Sequence, residues 1–446
     1  MTQASAVSTQ QLWRYASVGL VTAAASLPLY MLVPHLYANE FGASLTAIGL
    51  LLMAIRLLDA WTDPWFGRRI DQTSNRRFER WMQPALILLT LGFWALVFPP
   101  SLVRDDHLLL VYLAVTTLLV SLSNGVVTVA HQAWPVQWVG LHPDQLRLVS
   151  AREFLSLVGV IAAAGLAAAD ARLGLLVLLS LSALGATLAI KGLPGQQASE
   201  TGDPHKAAFE TGPSGGVETE GRTESGASGA SGASGVRGLL VMLTINALAN
   251  AIPATLFLFF VTDYLQADRS TASALLVAYF LAALGSIPLW QGPLKRLGPD
   301  KTLMLSMAIG FASFIWVLLL PTDGLIWFGL ICLLTGAALG AELICPGLLL
   351  AQRLRQDSTN PHRLGSGLAF GQWQLLAKCS LALAAGLCLP ALAQLGYTPG
   401  DSQTSESLLW VYAGLPCLLK ALAIGLQARQ LQNVSLPNKD PFHASS

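Results

Sequence analysis

The chain has 446 residues and a formal net charge of +1; 11% of its residues are charged and 53% belong to the hydrophobic set. Soluble domains carry roughly 25% charged residues. That contrast, with a mean hydropathy of +0.56, excludes a disordered chain, an ordinary soluble globule and a nucleic-acid binder, and it leaves a polytopic helical membrane protein.

A run of about 20 apolar residues crosses the ~30 Å hydrocarbon core of a bilayer. Twelve such runs follow one another, at about 14–37, 43–66, 82–101, 107–136, 150–170, 173–191, 238–263, 271–291, 302–320, 324–350, 366–394 and 407–428. Lipid offers stray backbone groups no partner, so each run is read as a helix. The first is too long for the core of a signal peptide and a second follows at once, which makes it an uncleaved span.

Span two carries the first charges that lipid should reject, in Arg56-Leu57-Leu58-Asp59-Ala60-Trp61-Thr62-Asp63-Pro64. An ionisable group at mid-bilayer costs about 2.5–3.5 kcal/mol on insertion scales, so it is a functional candidate by default. Asp59 and Asp63 are four apart and share one helical face. Two carboxylates side by side suit a small monovalent cation, and repel each other or take a proton when it leaves. The alternative is structural: Asp63-Pro64 ends the helix and Asp59 pairs with Arg56. A basic turn follows, from Gly67 through Arg80 and including Asp71.

Span four contains Thr128, His131, Trp134 and Trp138. His131 is either a proton carrier or substrate contact, or a satisfied interhelical hydrogen-bonder. Trp134 and Trp138 are either a substrate platform or interface aromatics near the cytoplasmic side, with the interface role favoured for Trp138. In span five, Arg152 either lines the cavity or anchors the span end through Glu153. The stretch 192–237 contains a Gly-Ala-Ser repeat and reads as a flexible tether between a six-span half at 1–191 and another at 238–430, with a tail at 431–446. Span seven adds Asn246, Asn250 and Pro253; span ten adds Glu342 near Pro346; span eleven adds Gln372, Trp373 and Lys378. Lys378 is too deep to snorkel and needs a carboxylate, for which Asp59 or Asp63 would serve. Lys420 of span twelve is placed nearer the inner end, where it would snorkel.

Of the 26 Lys and Arg residues, twenty fall on one side of this arrangement and only Arg104, Arg172 and Arg269 on the other. The positive-inside rule therefore puts both termini in the cytoplasm. Turns of similar composition after spans two and eight suggest an internally duplicated transporter. The five cysteines sit in apolar stretches without a CxxC pair and read as small core residues.

Arg56-x-x-Asp59-Ala60-x-x-Asp63-Pro64-x-x-Gly67 with its basic turn resembles the signature of the glycoside-pentoside-hexuronide:cation symporters, the melibiose permease-like family of the major facilitator superfamily. Gly42 and Gly49 fall in place, and Phe370-Gly371-x-Trp373 leading to Lys378 resembles the family's eleventh helix. The resemblance implies an all-α fold of twelve transmembrane helices in two six-helix halves, in a bacterial inner membrane. It also implies a cation site at Asp59, Asp63 and Thr128, and a substrate cavity lined by Arg152, His131, Trp134, Trp373 and Lys378. Gly67 and Asp71 would form the gating turn. No cofactor is implied beyond the coupling ion, Na⁺ or H⁺. The partners implied are a small organic solute such as a sugar, a monovalent cation and the lipid bilayer, with the protein a monomer.

Two departures bear on the solute. The family's sugar-binding aspartates of spans one and four fall near Ala23 and at His131. Sugar hydroxyls need buried acceptors, so the substrate site looks rebuilt, and an amphiphilic or less hydroxylated solute is open. Two further transport readings are a proton-coupled exporter and a lipid or amphiphile carrier. Outside transport, a non-transporting assembly or delivery factor would not need the paired acids. An enzyme would need HExxH, GxSxG or clustered Cys and His, and none occurs.

Overall fold

The computed structural model describes residues 7–41, 44–73, 78–100, 106–139, 143–169, 171–193, 226–356, 364–397 and 405–435. The N-terminal half consists of α1 (Thr9–Asn39), α2 (Leu45–Gln72), α3 (Glu79–Val97), α4 (Asp106–Trp138), α5 (Pro143–Ala168) and α6 (Arg172–Ala189). Ser8 starts α1 with a capping box, accepting from the Gln11 amide while the Gln11 side chain accepts from the Ser8 amide. The C-terminal half opens with α7 (Gly226–Phe259), which ends in a π-helical turn at Phe260–Tyr264.

Arg269–Phe314 holds two helices that meet at Gly298, where φ is 78° and ψ is 169°. A residue without Cβ adopts that φ without strain, and Pro299 suits a first turn, where its missing N–H is not needed. The two limbs are α8 (269–297) and α9 (299–314). Then come α10 (Leu325–Gln356), α11 (Ser366–Gln394) and α12, the last assembled from Ser405–Leu409, a π-helical turn at Trp410–Gly414 and Leu415–Ser435.

Among the described residues, nine helices are long and apolar enough to cross a membrane. One of them, Ser270–Leu319, has 50 residues and supplies two crossings through its break at Gly298. α1 and α2 complete the twelve. Even numbers of crossings bring both termini to one end of the bundle, called here the termini end. The tether at 192–237 and the tail at 431–446 lie largely outside the described residues, as do Arg76, Arg77 and Arg104. Where the tether is described, it differs from the sequence reading. The Gly-Ala-Ser repeat is helical from Gly226, because extending a helix from a nucleated apolar segment costs far less than starting one.

Within the halves, α1 packs on α5, α3 on α4, α10 on the α8–α9 pair, and α7 on α11 and α12. Between the halves, the most extensive seam is α2 against α11, joined by α4 with α11 and α5 with α10. That seam is a backbone contact. A Cβ on Gly67 would strike the Gly367 carbonyl, and a Cβ on Gly371 would come within 2.5 Å of the Asp63 carbonyl oxygen.

Candidate functional site

The α2–α11 seam places the charged residues. Asp59 and Asp63 lie on the buried face of α2, with 3% and 0% exposure. Lys378 reaches them from α11: its Nζ donates to Asp59 Oδ2 at 2.7 Å and lies 2.7 Å from Asp63 Oδ2. The pairing expected from the depth of Lys378 is present, and it involves both acids. With both carboxylates ionised the triad carries one net negative charge, before the more distant charge of half-buried Arg56 is counted. Among the described residues, Oδ1 of Asp59 and both carboxylate oxygens of Asp63 make no hydrogen bond. A buried carboxylate oxygen without a hydrogen-bond partner is costly in a low-dielectric interior.

Both Oδ1 atoms face α4 at Gly125. A Cβ there would lie 2.7 Å from Asp63 Oδ1 and 3.2 Å from Asp59 Oδ1. Gly125, lacking a Cβ, therefore lets both carboxylates pack close against the α4 backbone. The sequence reading missed this residue; its one signal is a glycine one helical turn before Thr128.

Thr128 itself sits elsewhere. It lines a cavity of about 150 Å³ between α1, α4 and α5, with Ser26, His131, Gln132, Arg152 and Glu153. Among the described residues its hydroxyl makes no hydrogen bond to either aspartate. Arg152 is 5% exposed and does not snorkel. Its Nε and Nη2 donate to Glu153 Oε1 at 3.0 and 2.7 Å, while Nη1 has no partner. His131 borders the same cavity and also pins α4 to α1: its Nε2 is 3.0 Å from the Tyr15 carbonyl, and the Tyr15 hydroxyl donates to the His131 carbonyl at 2.8 Å.

Four residues are placed differently from the sequence reading. Trp134 is no platform: it is 1% exposed, stacked on Phe78 at 5.8 Å and edge-on to Tyr15 at 6.1 Å. One turn beyond His131, its side chain turns into the seam with α1 and α3. Trp138 joins this aromatic cluster at 6.2 Å from Trp134 and is buried rather than interfacial. Trp373 is half-buried against the main core and borders neither this cavity nor a larger one in the C-terminal half. Lys420 is not a snorkelling residue. It lies mid-helix and donates to both oxygens of Glu342, at 2.7 and 2.8 Å.

At the termini end, Asp71 of α2 caps α11. Its carboxylate accepts from the Gly367 amide at 2.9 Å and the Leu368 amide at 2.8 Å, where a helix start presents free N–H groups and positive potential. Gln137 Nε2 donates to Ser366 Oγ at 2.9 Å beside it. With Gly67 against Gly367, these contacts hold the two halves together at that end.

A family profile described as MFS/sugar transport protein matches residues 14–429. The chain belongs to this family. Members of the MFS/sugar transport family are multi-pass membrane transporters, not enzymes. A curated relative, the putative glycoside/cation symporter YagG of Escherichia coli (strain K12), is 29% identical over 140 residues, which is 30% of each chain. The match thus spans under a third of that relative. Among solved structures, a bacterial homologue of the iron transporter ferroportin in an outward-facing state is similar over 95% of this chain and 99% of that one (TM-score 0.65, 15% identity). The E. coli fucose:proton symporter FucP is similar over 94% and 97% (TM-score 0.60, 14% identity). The human organic anion transporter MFSD10 is similar over 94% and 100% (TM-score 0.62, 14% identity). At these identities the structures establish the fold shared with the MFS/sugar transport chain.

Proposed function

We propose that this protein is a cation-coupled symporter, driven by Na⁺ or H⁺, that moves a small organic solute by alternating access. The observation that carries the reading is the buried triad of Asp59, Asp63 and Lys378, with carboxylate oxygens that make no hydrogen bond among the described residues packed against Gly125. A monovalent cation or proton at those oxygens supplies the missing positive charge and competes with Lys378. Lys378 belongs to the opposite half, so its release loosens a tie across the middle of the bundle. Filling the site and freeing the halves are then one event.

The solute belongs in the neighbouring cavity, where the unpartnered Arg152 Nη1 and Gln132 Oε1 offer a donor and an acceptor. The similarity to a putative glycoside/cation symporter supports a glycoside or related solute. We place both termini in the cytoplasm of a bacterial inner membrane, with the Asp71 cap on the cytoplasmic side, and take the working unit to be a monomer without a cofactor.

The test needs no known solute, because a ligand that binds only the folded state raises stability by mass action. Thermal unfolding of the purified protein is followed in NaCl, LiCl, KCl and choline chloride at several pH values, beside Asp59→Asn and Asp63→Asn. Selective stabilisation by Na⁺ or Li⁺, lost in both variants, is the outcome for Na⁺ coupling. A pH dependence removed by the same substitutions is the outcome for H⁺. Indifference to cation, pH and substitution overturns the proposal and makes the aspartates structural.

A further inference from the structure

The C-terminal half encloses a cavity of about 300 Å³ that shares no lining residue with the α1–α4–α5 cavity and includes none of Asp59, Asp63, Gly125 and Lys378. It lies among α7, α8, α9, α10 and α12. Its size is at the lower end of small-molecule sites.

The floor is charged yet self-neutral. Lys420 Nζ spends its three donors on Glu342 Oε1 (2.7 Å), Glu342 Oε2 (2.8 Å) and Asn250 Oδ1 (2.8 Å). Glu342 Oε2 also accepts from Asn246 Nδ2 at 2.9 Å and Asn250 Nδ2 at 2.7 Å. A ligand charge brought here would find no free counter-charge. Oε1 takes one hydrogen bond where Oε2 takes three, so it has capacity for a hydroxyl donor.

The walls are aromatic. Tyr412 lies 5.5 Å from Phe314 and 6.4 Å from Phe328, and Phe257 lies 6.1 Å from Phe328, all tilted. Such a set of faces and edges suits a flat ring. Tyr412 belongs to the π-helical turn of α12, an irregularity often found at functional sites. Exposed Ala254 on α7 and Leu276 on α8 mark the mouth. α7 meets the α8 limb through its terminal π turn.

We propose that this cavity is a second ligand site, taking an uncharged aromatic amphiphile whose ring body packs on Phe257, Phe314, Phe328 and Tyr412 and whose hydroxyl donates to Glu342 Oε1. The site is independent of the cation triad and stands whether or not coupling is confirmed.

The test uses the full chain in phospholipid nanodiscs with 4-(hydroxymethyl)benzophenone, a photoreactive aromatic alcohol, followed by peptide mass spectrometry. Saturable adducts on the aromatic wall are expected. Ala254→Trp and Leu276→Trp, both at exposed mouth positions, are each expected to cut that labelling about tenfold or more. The carboxylate analogue 4-benzoylbenzoate should neither label saturably nor compete. Labelling that rises linearly with probe, adducts confined to outward-facing positions such as Leu289, equal labelling by the carboxylate, or indifference to both mouth variants would each overturn the proposal.

Discussion

Gly125 bears on the proposed cation site by what it lacks. Without a Cβ it lets Asp59 Oδ1 and Asp63 Oδ1 pack against the α4 backbone. Gly125→Ala puts a methyl 2.7 Å from Asp63 Oδ1, closer than such atoms settle. The variant should still fold, since alanine favours the helix by about 1 kcal/mol over glycine. It should nevertheless weaken the cation-dependent thermal shift by about tenfold in apparent affinity, or ~1.4 kcal/mol. An unchanged cation titration would place the ion elsewhere. Lys378→Met should instead destabilise the cation-free protein by about 3–5 kcal/mol, because it strands two buried carboxylates. Added cation should then recover more stability than in the wild type, which the same melting series reads. The aspartates were legible in the sequence because a spacing of four sets two side chains on one helical face whatever surrounds them. Gly125 was not, because its role depends on which helix stands opposite. Glu342 and Lys420 are 78 positions apart, and only the folded bundle shows that each is the other's counter-ion. Trp134 misled for a related reason: an aromatic near a cavity-lining residue belongs to the cavity only if the helix is turned that way.

Hydropathy and length identified the elements well, since a span must exceed the bilayer core and its composition says so without tertiary context. Their ends were less legible. α7 starts at Gly226 instead of about 238, whereas the break at Gly298 falls between the spans read at 271–291 and 302–320. The α2–α11 seam was foreshadowed by Gly67 and Asp71 as a gate, but its partners Gly367 and Leu368 were not. Here Asp71 offers charge-assisted acceptors to two backbone amides, and hydrogen bonds to a charged group contribute about 1.5–3 kcal/mol each. Asp71→Ala should therefore open the termini end without disturbing the triad. With a reporter Ser366→Cys, now 7% exposed beside Gln137, Asp71→Ala should raise the rate of alkylation by a bilayer-impermeant maleimide several-fold. The cation-dependent thermal shift should persist. Equal alkylation rates would mean that the glycine contact alone holds the seam.

Across the whole molecule the two halves are joined at different depths by different chemistry. Glycine backbone contact and the Asp71 cap act at the termini end, and the Lys378 ion pairs act at mid-bundle. The mid-bundle tie is the one that the proposed cation would contest. If Lys378 and the cation exclude each other, cation binding weakens one joint and leaves the other, so full opening of the termini end should require the solute as well. Interior packing passes such a change on as rigid-body motion, because packed cores have discrete arrangements and do not deform smoothly. Spin labels at Gln10 of α1 and Gln356 of α10, both exposed and in opposite halves, report the separation at the termini end. In cation-free wild type their distance distribution should be narrow. Cation alone should leave its mean in place, and cation with a transported solute should shift it outward. In Asp59→Asn with Asp63→Asn, the solute should no longer produce that shift, because neutral side chains neither hold Lys378 nor reward its release. A solute-driven shift that survives the double substitution would separate the motion from the acids and leave coupling without its proposed seat.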